Sequence, residues 1–177
     1  MNLKEKYIKE VIPAMKKKFG IKNDLAVPKI KKVVVNIGIG QAARDKEFKK
    51  QIIADFKMIT GQKPVERKAR KSIAGFKVRQ GMTVGLLATL RRRRMWDFID
   101  RLINIALPRT RDFRGIPKKS FGTGGNLTIG IREQIIFSEI NAENAKNIFG
   151  LEVTIVTNAQ DNKQAIELLK LLGFPIQ

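Results

Sequence analysis

The residues best suited to chemistry lie in one basic stretch, from Gln62 to Arg94. It contains eleven lysines and arginines and a single acid, Glu66. Charge packed this densely repels itself unless a polyanion lies against it, so the stretch predicts binding to phosphate groups. The intervening residues are glycines, β-formers and small polar groups, whereas a membrane-surface helix would carry a face of large apolar residues. The pattern therefore favours nucleic acid over an anionic membrane.

Charge is unevenly distributed along the 177 residues, whose net charge is +20. Residues 1–61 hold 15 basic and 6 acidic side chains, a net charge of +9. Residues 62–119 hold 17 basic and 4 acidic side chains, a net charge of +13. Residues 120–177 hold 4 basic and 6 acidic side chains, a net charge of −2. We therefore expect the first two-thirds to face a polyanion and the last third to face water or a protein neighbour.

The composition offers little for catalysis or metal binding. There is no histidine and no cysteine, which excludes a Ser-His-Asp arrangement, a thiolate zinc site and a disulfide framework. No close pair of carboxylates lies in a recognisable motif. We expect no enzymatic activity, no cofactor and no metal, and no apolar run is long enough to span a membrane.

Hydrophobic periodicity predicts the elements that must position the basic residues. Apolar residues at helical spacing, each run followed by glycine or proline, predict four helices over 3–19, 44–60, 95–107 and 161–172. Alternating or apolar runs predict five strands over 29–37, 82–90, 127–131, 134–137 and 152–157. Because strict βαβ alternation is lacking, we predict a single α+β domain, with helices on one face of a largely antiparallel sheet and the other face open to RNA.

Two of the predicted strands carry small hydrogen-bonding groups on that open face. Alternation places Asn36 opposite the apolar residues of its strand, and it places Thr83 and Thr89 together on the corresponding face of theirs. Asn36 and Thr89 are uncharged and have small neighbours, so a ribose or a base edge could approach closely.

Two glycine-rich segments resemble nucleotide-binding loops. Gly38–Ala43 matches a loose G-x-G-x-x-A dinucleotide pattern, but a second βαβ half is missing. Gly122–Gly125 resembles a phosphate loop but lacks the following Lys-Ser or Lys-Thr. We interpret both as turns. A dinucleotide-dependent enzyme using Gly38–Ala43 remains one rival hypothesis, and a nucleic-acid chaperone held by charge alone is another.

Four consecutive arginines, Arg91, Arg92, Arg93 and Arg94, precede or begin a predicted helix. The helix macrodipole disfavours cations at this end, so four of them without an anion would be costly. We therefore predict that the run binds phosphate and is not merely a solvated face. The neighbouring Trp96 has the spacing of a core residue, and we interpret it as packing and not as a base-stacking platform.

Two loops stand out beside these elements. Ser72–Gly81 carries Lys77 and Arg79 around Phe76, and we predict that it reaches out to touch RNA. Pro108–Gly125 is rich in glycine, proline and basic residues and is predicted to be long and mobile.

Several long motifs together resemble one family. They are GQKP-x-x-x-KARKSIAGFK-x-RQG-M from Gly61 to Met82, TLR-x-x-RMWDF from Thr89 to Phe98, PR-x-RDFRG from Pro108 to Gly115, IREQIIF from Ile131 to Phe137, and Gly-Phe-Pro near the end. In this order they resemble bacterial-type large-subunit ribosomal protein five, the family that binds 5S rRNA. The resemblance covers essentially the whole chain.

The resemblance implies a structural, non-enzymatic constituent of cytoplasmic ribosomes. The protein would anchor 5S rRNA in the central protuberance of the large subunit and also meet large-subunit rRNA. It would touch the peptidyl-site tRNA, bridge to a ribosomal protein of the small-subunit head, and form neither a homo-oligomer nor a membrane contact.

The resemblance also assigns candidate site residues. The family's 5S rRNA contacts on the open sheet face correspond to Asn36, Gln62 and Thr89. The adjoining basic residues complete the predicted rRNA surface: Lys63, Lys68, Arg70, Lys71, Arg91, Arg92, Arg93 and Arg94. The predicted tRNA-contact loop comprises Ser72, Ile73, Ala74, Gly75, Phe76, Lys77, Val78 and Arg79.

The chain departs from the family pattern at four places. Arg92 stands where a glycine usually follows Leu-Arg, and Ser138 replaces a proline. Gly122–Leu127 reads GTGGNL in place of Asp-Gly-Arg-Gly-Asn-Tyr, and Pro175–Gln177 reads Pro-Ile-Gln in place of Pro-Phe-Arg. The last two changes each remove an arginine, so we expect the contacts there to differ.

Overall fold

Five strands form one antiparallel sheet in the order β2-β3-β1-β5-β4. They are β1 (Ile30–Gly38), β2 (Val65–Lys68), β3 (Thr83–Leu90), β4 (Leu127–Ile131) and β5 (Leu151–Thr157). Helices accompany the sheet, so the predicted α+β class is confirmed. The computed structural model describes residues 2–40, 45–141 and 147–177.

The chain divides into two compact units. The first unit comprises Met1–Val33, Arg91–Ile129 and Thr154–Gln177, and the second unit comprises Val34–Leu90 and Gly130–Val153. The arginine run and the segment Pro108–Gly125 therefore belong to the first unit. The loop Ser72–Gly81 belongs to the second.

Burial alternates along β1 and β3, as predicted. One face is apolar, and the residues buried on it are Val33, Val35, Ile37, Leu86, Ala88 and Leu90. Asn36, Leu87 and Thr89 lie between them in sequence and are only half-buried. The opposite face therefore remains accessible along both strands.

The alternation breaks at the start of β3. Arg67 pairs with Gly85 and Lys68 with Thr83, so Val84 is an extra residue in the ladder. The hydroxyl of Thr83 consequently lies on the side of Glu66, to which it donates a hydrogen bond of 2.6 Å. The prediction that Thr83 shares a face with Thr89 is wrong, because a bulge of one residue reverses the direction of the side chain.

The first unit contains the N-terminal helix, which runs through α1 (Leu3–Lys6), a π-helical turn (Tyr7–Val11) and α2 (Ile12–Phe19). The π turn precedes Pro13, whose missing N–H interrupts the normal ladder, and the Ile12 N–H donates to the Tyr7 carbonyl. The Tyr7 hydroxyl donates to the Pro28 carbonyl at 3.0 Å. Its ring centroid lies 5.8 Å from that of Trp96, so Trp96 serves packing, as predicted.

Two further helices of this unit follow the predicted positions. α4 (Arg92–Arg101) continues into a second π turn, Leu102–Ala106, before Pro108 ends it. α5 (Asn162–Leu172) ends at Gly173, whose φ of 108° lies in the left-handed region.

The second unit contains α3 (Lys46–Thr60), whose caps are visible in the sequence. The Asp45 carboxylate accepts from the N–H groups of Glu47 and Phe48, at 2.8 and 3.1 Å. Gly61 ends the helix with a φ of 65°. Buried side chains, chiefly Ile52, Phe56 and Ile59, form its inner face.

Residues 134–137 are not a strand, contrary to prediction, and Gln134–Ile136 forms a 3-10 turn. Gln134 is fully buried and its side chain completes hydrogen bonds that a ladder would otherwise make. Its Nε2 donates to the Asn147 carbonyl at 2.8 Å, and its Oε1 accepts from the Phe149 N–H at 2.9 Å. The side chain of Gln134, in addition to its backbone, thus joins this turn to the segment around residues 147–149.

The segment Pro108–Gly125 is joined to the last residues of the chain. The Ile116 N–H donates to the Pro175 carbonyl at 2.7 Å, and the Gln177 N–H donates to the Ile116 carbonyl at 3.0 Å. Ile116 and Phe121 are buried, 3% and 8% exposed. Backbone pairing and apolar burial thus fasten the middle of this segment within its own unit.

Candidate nucleic-acid interface

On the open face of the second unit, the side chains of Asn36 and Arg67 lie beside Gly85, which is itself buried. A Cβ at this position would lie 3.3 Å from the Ile37 carbonyl oxygen and 3.8 Å from both the Asn36 Oδ1 and the Arg67 Cβ. The space that a side chain would fill at Gly85 is therefore already taken by the neighbouring strand, and Asn36 and Arg67 lie on either side of it. A half-buried amide and an exposed guanidinium placed in this way can hydrogen-bond a ribose or base edge and an adjacent phosphate.

Gln62 is positioned by the corner that follows α3. The buried hydroxyl of Thr60 donates to the Phe56 carbonyl at 2.7 Å. The Gln62 N–H in turn donates to the hydroxyl oxygen of Thr60 at 3.3 Å. The Gln62 side chain is left half-buried and Lys63 exposed, as an RNA contact requires.

Glu66 is the only acid in the basic stretch, and its carboxylate is occupied within the protein. It accepts from the Thr83 hydroxyl and pairs with the Lys49 Nζ at 2.9 Å. The Thr83 hydrogen bond, followed by the Lys49 contact, holds the pKa of Glu66 below its ordinary value. The carboxylate therefore stays ionised at neutral pH and pairs with Lys49 of α3.

The edge of the sheet is strongly basic. All four residues of β2 are exposed, and Arg67 and Lys68 are its cations. Arg70 and Lys71 follow directly and are accessible as well. Cations on an edge strand discourage pairing with another sheet and simultaneously provide phosphate-binding groups.

The arginine run leads from β3 into α4 in the first unit. All four arginines are exposed, and within the described residues the run has one ion pair, Arg93 Nε to Asp97 at 3.6 Å. Arg92 has a φ of 54°, so it takes the left-handed conformation where the family pattern has glycine. The Arg91 side chain makes no capping hydrogen bond to the N-terminus of α4. The run therefore offers accessible donors to an anion.

The predicted tRNA-contact loop is a short hairpin. Ile73 and Val78 exchange backbone hydrogen bonds of 2.9 and 3.1 Å, and Ala69 bonds Met82 and Gly81 at its base. Gly81 has a φ of 84°, which provides the turn that returns the chain to β3. Phe76 is 78% exposed at the tip. The loop is therefore ordered by its own backbone and presents its tip to solvent.

The two glycine-rich segments, which were predicted to be turns, differ in how much of each the structure describes. Gly38 is the last residue of β1 and Gly40 follows the strand, whereas residues 41–43 of the dinucleotide-like pattern lie outside the described residues. Gly125 is a packing position: a Cβ there would lie 2.9 Å from the Ala165 Cβ. Its N–H donates to the Asn162 side-chain oxygen at 3.1 Å. The second segment is therefore a tight turn against α5.

The structure distributes the predicted rRNA residues over both units. The first unit contains Arg91–Arg94. The second unit contains the others, which are Asn36, Gln62, Lys63, Lys68, Arg70, Lys71 and Thr89. Sequence reasoning did not single out Gly85 or Arg67. The signal for Gly85 was a glycine inside a strand pattern, which often marks the close approach of another backbone.

The fold and these surfaces define a basic α+β protein built to lie against RNA. Residues 23–79 match the family described as Ribosomal protein L5, and residues 83–176 match the C-terminus of the same ribosomal family. In the described part of the chain, no helix is long and apolar enough to cross a membrane.

Curated relatives agree over nearly the full length. The large ribosomal subunit protein uL5 of Rubrobacter xylanophilus is 52% identical over 175 residues, which are 99% of this chain and 97% of the relative. The proteins of the same name from Herpetosiphon aurantiacus and Carboxydothermus hydrogenoformans are 53% and 51% identical, covering 99% and 98% of this chain and 98% and 97% of theirs.

The chain belongs to the ribosomal protein L5 family. It is therefore a structural constituent of the large ribosomal subunit, with rRNA as its partner, and not an enzyme. The dinucleotide-dependent rival is thereby excluded.

Proposed function

We propose that this chain anchors 5S rRNA in the central protuberance of cytoplasmic ribosomes, meets the neighbouring large-subunit rRNA, contacts the peptidyl-site tRNA and bridges to a small-subunit head protein. The observation that carries the 5S rRNA assignment is the placement of Asn36 and Arg67 around the buried Gly85. Both lie within 3.8 Å of the position that a Cβ would take there, so they present an amide and a cation side by side to an RNA strand.

A gel shift with 5S rRNA against a generic RNA of equal length tests this assignment. Asn36→Ala and Thr89→Ala should each weaken 5S rRNA binding by about 1–3 kcal/mol, because a truncated side chain leaves an RNA group unpaired. Generic RNA binding should change little. Thr128→Ala is the matched control, since Thr128 is an exposed strand threonine in the acidic third of the chain.

Two outcomes would contradict the proposal. Equal losses for both RNAs would show that this face does not read 5S rRNA. Equal wild-type affinity for both RNAs would favour binding by charge alone.

The arginine run is proposed to bind phosphates and so to position the RNA without reading it. Replacing Arg91–Arg94 by alanine should weaken binding to all RNAs and flatten its salt dependence, by a log-log slope of roughly 0.7–0.9 per lost phosphate contact. Arg92→Gly gives the sharper test. Glycine adopts the observed φ of 54° without strain, so this variant should lose RNA affinity while its thermal stability holds or rises.

The hairpin loop is proposed to contact tRNA. Its internal bonds close between Ile73 and Val78, so deleting Ala74–Arg79 removes the tip and leaves the Ala69–Met82 bond at the base. In assembled ribosomes the peptidyl-site tRNA should dissociate faster from the deletion variant, while 5S rRNA affinity is retained. Loss of 5S rRNA binding, or unaltered tRNA retention, would show that the loop has another partner.

The bridge is proposed to use Pro108–Gly125 and the adjoining strands. The segment itself is basic, but the strands that adjoin it lie in residues 120–177, whose net charge is −2. A surface of that charge suits a basic protein neighbour better than a phosphate backbone. Cross-linking of intact ribosomes should place part of this segment on a small-subunit protein. A map that placed it wholly on RNA would overturn the assignment.

A further inference from the structure

A solvent-open cavity of about 1050 Å³ lies within the second unit, beside the hairpin loop. Its apolar lining comes from Ile73, Phe76 and Val78 of the loop and from Val84 at the start of β3. Pockets that hold small organic groups measure about 300–1000 Å³. The space therefore suffices for one flat ligand group together with ordered water.

Two of the apolar side chains that line this cavity are largely exposed. Phe76 is 78% exposed and Ile73 is 50% exposed, although the backbone bonds between Ile73 and Val78 hold the loop in one shape. A Cβ at Gly75 would meet nothing within 4 Å, so the space next to Phe76 is open. An ordered loop that exposes an aromatic ring next to open space suits a partner group that covers the ring.

The charges around the cavity specify the chemistry of that group. Arg70, Lys71 and Lys77 belong to its lining, and the described lining residues include no acid. A complementary ligand therefore combines a flat apolar part with negative charge. A nucleotide has both, because a base can stack on an aromatic ring while its phosphate pairs with lysine or arginine.

We propose that this cavity holds one unstacked nucleotide of an RNA partner, with its base against Phe76 and its phosphate near Arg70 and Lys71. The inference rests on the proposed function, in which the hairpin loop faces RNA. It adds that the loop binds a base by its face as well as the backbone by its charge. Every base has a π-face, so the contact tolerates any sequence.

Tryptophan fluorescence tests the proposal. Phe76→Trp places an indole at the exposed tip, and Leu25→Trp is the matched control, since Leu25 is 82% exposed in the first unit. The probes are a single-stranded hexaribonucleotide and an abasic oligomer with the same phosphates. We expect the hexaribonucleotide to quench the Phe76→Trp variant only, and to bind about five- to 150-fold more tightly than the abasic oligomer, the range for one stacked base.

The outcomes separate this inference from the function on which it rests. Equal binding of both oligomers overturns the cavity assignment and leaves a backbone-binding loop intact. If neither oligomer binds, the proposal that the loop faces RNA is itself overturned. Equal quenching of the Leu25→Trp control, or preferential binding of an acidic amphipathic peptide, also overturns the assignment.

Competition identifies the source of the nucleotide. Displacement of the hexaribonucleotide by tRNA, or by 5S rRNA, at lower concentration than by a blunt-ended RNA duplex supports the proposal and names the partner. Equal displacement by all three shows that charge alone is responsible and overturns it.

Discussion

The hairpin Ala69–Met82 and the segment Pro108–Gly125 are similar in composition but differ in what holds them. Both are basic loops rich in glycine. The hairpin is closed by bonds within itself, and its large apolar residues Ile73 and Phe76 are exposed. The other segment pairs through Ile116 with Pro175 and Gln177, and its apolar residues Ile116 and Phe121 are buried.

The difference shows how a loop becomes either a contact surface or part of the scaffold. A basic, glycine-rich loop remains available to a partner when its apolar residues find no place in the core. It becomes structural when a distant segment offers both a backbone ladder and a cavity for them. The hairpin is therefore expected to tolerate substitution in the free protein, and the segment is not.

The largest contrast should come from the two phenylalanines. Phe121→Ala should lower the free energy of unfolding by about 3–5 kcal/mol, because a buried ring is lost and a cavity remains. Phe76→Ala should change it by less than about 0.5 kcal/mol, as is usual at exposed positions. Urea denaturation of both variants measures the change in unfolding free energy. Equal changes would show that the two loops do not differ in how they hold their phenylalanines.

The glycines should give the next largest contrast. Gly125 has a φ of 72°, and a Cβ there would lie 2.9 Å from Ala165 and 3.1 Å from Ala159. Gly125→Ala should therefore cost about 2–4 kcal/mol through backbone strain and overpacking. Gly75→Ala, with open space around it, serves as the control and should be nearly neutral in thermal melts. A stable Gly125→Ala variant would show that the turn can shift.

Two residues with positive φ should separate the loops more finely. Lys77 in the hairpin and Asp112 in the segment both have a φ of 52°. Lysine is poorly suited to this conformation and aspartate tolerates it better, so Lys77→Gly should stabilise by about 0.5–1 kcal/mol and Asp112→Gly by less. Guanidinium denaturation of each variant and of the parent protein measures the change in unfolding free energy. A larger stabilisation by Asp112→Gly than by Lys77→Gly would contradict the prediction.

The smallest contrast should be electrostatic. Glu66 joins the base of the hairpin to α3, and its folded pKa lies below the ordinary value of 4.5. A depressed acid pKa contributes stability above 4.5 that is lost as the pH falls through the folded value. The advantage in melting temperature over Glu66→Gln should therefore be present at pH 7 and disappear in acid. An advantage that persists in acid would exclude ionisation as its source.

Local sequence patterns predicted much of the fold and which side chains of two strands lie on the open face. Asn36 and Thr89 were assigned to the open face because alternation has a period of two and needs no distant partner. The end of α3 followed from Gly61, whose capping chemistry is also local. Its start was predicted at residue 44, whereas Asp45 caps the helix and Lys46 begins it. The prediction of a strand over 134–137 was wrong, because the buried amide of Gln134 pairs with residues 147 and 149. These partners lie too far along the chain for a local sequence pattern to include them.

By itself the sequence determined the charge, its confinement to the first two-thirds of the chain, and the positions of most helices and strands. Tertiary structure alone decided that Arg67 flanks Gly85, that a bulge turns Thr83 toward Glu66, and that one basic loop is fastened while the other exposes Phe76. The physical reason is the separation in sequence between the residues that interact. Charge and periodicity are properties of neighbouring residues, whereas strand register and burial depend on residues far apart in sequence meeting in space.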